Sequence, residues 1–175
     1  MVNDTNQQVH AELSRSFDSL FQLIDPLSEE QLNKKPFEGS WTAGQVGDHL
    51  RQSYNVISML QGKTRATERP VLEQQEMLKK VFLDFNTKLK SPEFIIPTND
   101  PINREELTGK LHAKAKKILQ FTESEDLSLT CTEFVLPGAT EMTRLEWLYF
   151  ISYHTQRHTH QLKNIVAVLH AEEHA

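Results

Sequence analysis

The chain has one cysteine, Cys131, in 175 residues. No disulfide can form within it, which suits a reducing compartment. No internal repeat or low-complexity segment is present, so a repeat architecture is excluded. No apolar run approaches the ~18 residues needed to span a bilayer. The opening residues, MVNDTNQQVH, lack both the basic and the apolar region of a signal peptide. The expectation is a soluble cytoplasmic protein with no membrane association. An excess of positive charge is also missing: 19 Lys and Arg stand against 24 Asp and Glu, for a formal net charge of -5. That balance argues against nucleic acid or anionic lipid as a main partner. One basic cluster, Lys110, Lys114, Lys116 and Lys117, lies at helical spacing near Glu105, Glu106 and Glu123, and reads as a solvated helix face.

What is present is helical periodicity in a chain of the length of one domain, taken here as residues 1–175. A first helix is predicted over about 5–24, with Val9, Leu13, Phe17, Leu20 and Ile24 on one stripe and Asp25-Pro26 as its stop. Ser28 and Gln31 have capping-box spacing for a short turn of helix. After the loop at 34–40, Thr42 with Gln45 predicts the start of a second helix. This helix should run to about Leu60, with Val46, His49, Ser53, Val56 or Ile57, and Leu60 inward. Residues 62–103 are poorly legible, with a short or broken helix somewhere in 71–89 and an extended loop at SPEFIIPTNDP. A third main helix is expected over 104–121, with Leu107, Leu111, Ala115 and Ile118 inward. A connection over 124–142 leads into the last helix, over about 143–169.

The last helix carries the chemistry. Trp147, Ile151, His154, His158, Gln161, Ile165 and Val168 fall on one stripe. Its ends are apolar and its middle is polar, which is costly unless something satisfies the polar layer. His154 and His158, four residues apart, leave one face a turn apart. Two imidazoles so placed can reach one ion at ~2.0–2.1 Å. The stripe of the second helix also turns polar around His49, between Gln45 and Ser53. Matching polar interruptions on two helices suggest one shared site, a common way for bundle cores to hold metal. Hydrogen-bonded core histidines without a metal remain the alternative on spacing alone. As ligands, the histidines would each need a partner for the second ring nitrogen; Gln45, Asp48, Gln161 and backbone carbonyls are candidates.

At these residues the chain resembles the DinB/YfiT-like superfamily, also described as metal-dependent hydrolases. The two anchors are PFEGSWTAGQVGDHL at 36–50 and MTRLEWLYFISYHTQRHTHQL at 142–162. The resemblance implies an all-α four-helix bundle, often a homodimer. It also implies one divalent transition metal, zinc or nickel, on His49, His154 and His158. His160 is expected at the surface, and His10, His112, His170 and His174 have no matching role.

Some relatives are thought to transfer or isomerise with low-molecular-weight thiols, which makes a small-molecule thiol a candidate partner. The sequence offers no HExxH glutamate, since Glu146 lies eight residues before His154. The metal-dependent hydrolase reading is weakened accordingly, and a thiol-dependent transferase acting on a small electrophile is preferred. A non-catalytic metal- or small-ligand-binding bundle is the third reading. Cys131 reads as an ordinary residue. Arg157 is expected in an interhelical salt bridge, with an anion clamp as its alternative. Trp41 and Trp147 are expected to pack rather than to wall a pocket, with Trp41 anchoring the loop before the second helix.

Overall fold

The computed structural model describes residues 4–175; the first three residues of the opening segment lie outside it. The described residues form seven α-helices, in chain order: α1 (Asp4–Ile24), α2 (Glu29–Asn33), α3 (Ala43–Ser53), α4 (Val56–Leu60), α5 (Gln75–Phe82), α6 (Arg104–Ser124) and α7 (Arg144–Glu173). The fold is all-α apart from a two-stranded antiparallel sheet. Its strands β1 (Thr64–Arg65) and β2 (Thr130–Cys131) pair Thr64 with Cys131. α1 and α3 each pack on both α6 and α7, so the four principal helices close into a ring around one core. No helix among the described residues is long and apolar enough to cross a membrane.

Local chemistry sets the helix starts. Ser28–Gln31, Thr42–Gln45 and Thr143–Glu146 each form a reciprocal capping box, and Asn103 caps α6 through Glu106 N–H. α1 buries the expected stripe of Val9, Leu13, Phe17, Leu20 and Ile24. α3 approaches its neighbours closely because two of its turns carry glycine. A Cβ on Gly44 would lie 2.9 Å from the Leu32 carbonyl oxygen, and one on Gly47 2.8 Å from Ile24 Cδ1.

Three expectations need correction. The second helix is not continuous to Leu60 but breaks at Tyr54–Asn55. Ser53 Oγ donates back to the His49 carbonyl (2.8 Å), Lys114 Nζ takes the Arg51 carbonyl (2.9 Å), and Asn55 N–H turns to Gln52 O (3.1 Å) in a tighter turn. The break carries Tyr54 inward, where its hydroxyl meets Thr155 Oγ1 at 2.6 Å, and leaves Ser53 half-buried. Secondly, α7 runs on to Glu173, tied to α2 and its C-cap by Gln31 to Glu173 (2.6 Å) and Lys34 to Glu172 (2.7 Å). Thirdly, α7 does not bury a single stripe. From Arg144 to Thr155 only Phe150 escapes full burial, because α5 covers the side that α1 and α3 leave open.

The poorly legible connection is built onto α7 and α3. Arg69 pairs with the fully buried Glu146 (2.7 Å), and Gln74 N–H donates to the same carboxylate (2.6 Å). α5 then packs on α7. Beyond it, a strap of chain over residues 82–98, including a 3-10 turn at Glu93–Ile95, crosses to α3 before entering α6.

Candidate metal centre

α3 and α7 bring His49, His154 and His158 together, and all three are buried. Their Nε2 atoms converge: His154 Nε2 lies 3.1 Å from that of His49 and 3.1 Å from that of His158. Donors on one tetrahedral ion at ~2.0–2.1 Å stand about 3.3 Å apart. The outward nitrogens fix the tautomers. The Ile95 carbonyl, 2.7 Å from His49 Nδ1, can only accept, so Nδ1 carries the proton. Likewise Gln161 Oε1 accepts from His158 Nδ1 at 2.8 Å. In their neutral forms both rings therefore present a bare Nε2 lone pair to His154.

One proton on His154 Nε2 can satisfy only one of these two lone pairs. Protonating the rings is not a remedy. Burial, reinforced by repulsion from His158 and His49, holds His154 well below the ordinary imidazole range. Burial and His49 push His158 down to about 3. Burial also lowers His49, against the opposing effects of the Ile95 hydrogen bond and of Asp48. Neutral imidazoles with converging lone pairs are a donor set for a metal cation, and the cluster can hold one.

Of the partners proposed from sequence, Gln161 and a backbone carbonyl do bond the clustered histidines. Asp48 and Gln45 instead hold the strap. Asp48 accepts from Arg51 (2.6 and 2.8 Å), Gln52 (2.9 Å) and Thr98 N–H (3.0 Å), while Gln45 donates to Thr98 O (3.1 Å). Among the described residues Arg157 makes no salt bridge to another helix. It donates to the carbonyls of Asp84 (2.8 Å), Phe82 (3.5 Å) and Thr87. Trp41 is a wall of the centre rather than remote packing. Its ring centroid lies 5.1 Å from that of His49 and 6.2 Å from that of His158. Phe150 stacks on His154 at 5.4 Å, and Phe82 meets it edge-on at 6.0 Å.

Trp147 packs between Phe134 and Phe150. His160 is exposed and stacks with Phe85, while His170 and His174 are also exposed. His10 bonds Thr122 and His112 bonds Asp25, both away from the cluster. Cys131 is buried in β2, and burial pushes its thiol up to about 11.

The same ground is covered by sequence likeness. Residues 12–162 match the DinB superfamily. The chain belongs to the DinB superfamily. It is 31% identical over 144 residues to the uncharacterized protein YuaE of Bacillus subtilis (strain 168), across 79% of this chain and 85% of that relative. No solved structure matches it. The matched span of this DinB protein includes all three clustered histidines and the whole strap.

Proposed function

We propose that this DinB protein is a metal-dependent enzyme that holds one divalent transition metal, zinc or nickel, on His49, His154 and His158 and transfers a small-molecule thiol to an electrophile. The observation that carries the reading is the convergence of three bare or singly protonated Nε2 atoms with no further ligand. Among the described residues, no carboxylate or thiol joins the group. Three neutral imidazoles leave a divalent ion at least one open position, the arrangement of catalytic rather than structural sites. The ion, when bound, supplies the charge that favours the thiolate of a cosubstrate over its thiol at neutral pH.

The chain's own residues keep the three nitrogens aimed and their rings covered. Ile95 O and Gln161 fix two tautomers, while Trp41, Phe82 and Phe150 cover the rings. A hydrolase reading asks for a general base beside the metal. Both oxygens of Asp48 are taken by Arg51, Gln52 and Thr98, and Glu146 serves Arg69, Gln74 and the α7 cap. Neither carboxylate is free to take a proton from water.

In the transfer itself a sulfur–carbon bond forms, the electrophile's leaving group departs with the bond pair, and the thiol proton passes to solvent. Metal-loaded protein is therefore expected to join low-molecular-weight thiols to 1-chloro-2,4-dinitrobenzene with release of chloride. The activity should disappear on chelation and in His158→Ala, and should survive in Cys131→Ala. Ester hydrolysis by the loaded protein, without thiol transfer across a panel of thiols, would overturn the reading.

A further inference from the structure

The residue before each of two clustered histidines on different helices is charged, and both of these residues grip the strap. Asp48, before His49, takes Thr98 N–H; Arg157, before His158, takes the carbonyls of Phe82, Asp84 and Thr87. The strap is thereby fastened to both helices that carry the cluster. Among the described residues, the strap and the neighbouring loop each place an aromatic ring against the cluster. Phe82 packs on Phe150 at 4.9 Å and on His154, and Trp41 lies against His49 and His158. These three aromatics are half-buried while the histidines are buried. The two nearest charges are committed, Asp48 to four donors and Arg157 to backbone carbonyls.

Resting on the metal reading above, we infer that the centre selects an uncharged, flat or apolar substrate, held against a wall made by Trp41, Phe82 and Phe150. A carboxylate or ammonium placed there would lose its hydration without gaining a partner, whereas an aromatic group gains apolar contact and offset stacking. The strap acts in selection as well as in support. Asp48 and Arg157 serve as positioning residues that keep Phe82 and the Ile95 carbonyl in place.

Three hydroxamates share one metal-binding group and differ only in the tail: acetohydroxamate, benzohydroxamate and 4-carboxybenzohydroxamate. Their affinities for the zinc-loaded full chain, measured by calorimetry after zinc content has been determined, isolate the wall. Benzohydroxamate is expected to bind about tenfold more tightly than acetohydroxamate, an advantage in the range of a few buried methylenes. The added carboxylate should cancel that advantage. Trp41→Leu and Phe82→Leu, each with its zinc retained, should shrink the preference several-fold. Equal affinities, tighter binding of the charged tail, or no hydroxamate binding to a chain that holds zinc would overturn the wall alone. Failure to take up zinc would overturn both the wall and the metal reading beneath it.

Discussion

His49, His154 and His158 are each fixed by a different kind of neighbour: a backbone carbonyl, two aromatic rings and an amide side chain. Only the last is open to a clean substitution. Gln161→Leu removes the acceptor from His158 Nδ1 at a half-buried position. Loss of such a partner typically weakens metal affinity ~10–100-fold. Competition against a chromophoric chelator should show that loss, with full loading recovered at saturating zinc. Unchanged affinity would mean that Gln161 only fills space. The histidines were legible in the sequence because i, i+4 spacing and an interrupted apolar stripe are periodic signals. The Ile95 carbonyl was not, since any residue supplies one. Trp41 precedes a helix cap, where periodicity is silent, and its place over two of the histidines depends on how the loop folds back.

α3 shows how an element is seated by what it lacks. Alanine is a better helix former than glycine by ~1 kcal/mol, yet at Gly44 its Cβ would meet the Leu32 carbonyl oxygen at 2.9 Å and Ile102 Cδ1 at 3.0 Å. Backbone cannot yield as a side-chain tip can, and overpacking of this kind costs ~1–3 kcal/mol. Gly44→Ala is therefore expected to lower the urea midpoint. Gly109→Ala, within α6 and with nothing inside 4 Å of the added Cβ, should raise it by up to ~1 kcal/mol of stability. Equal effects at the two sites would contradict the close seating of α3. The same helix exposes a limit of sequence reading. Its capping box was legible, but its break at Tyr54–Asn55 was not, because the break depends on Lys114 of α6 reaching the Arg51 carbonyl.

At the scale of the molecule, a metal on the cluster would cross-link α3 to α7, joining residues 105 apart in sequence. An ion that binds only the folded chain adds about 2.7 kcal/mol at one hundred times its dissociation constant. For a chain of this size that corresponds to a rise in Tm of roughly 5–10 °C. Calorimetry should find such a rise on adding zinc to the metal-free wild type and none in His49→Ala; equal shifts in both would assign the effect to surface binding. The all-α class and the principal helices were legible from 3.6-residue periodicity and caps. The path of residues 62–103 was not. Its fastenings, Arg69 to Glu146, Arg157 to three carbonyls and Asp48 to Thr98 N–H, are single long-range contacts that leave no repeating trace in the chain.

The central claim is that the three converging nitrogens hold one metal, and metal content per chain tests it most directly. The measurement is elemental analysis of protein purified without a metal-chelating tag, for wild type and for His49→Ala, His154→Ala and His158→Ala. About one zinc or nickel ion per wild-type chain, lost in each variant that still folds, is the expected result for a three-ligand site. No metal in the wild type even after zinc or nickel is supplied, or undiminished metal in the folded variants, would contradict it.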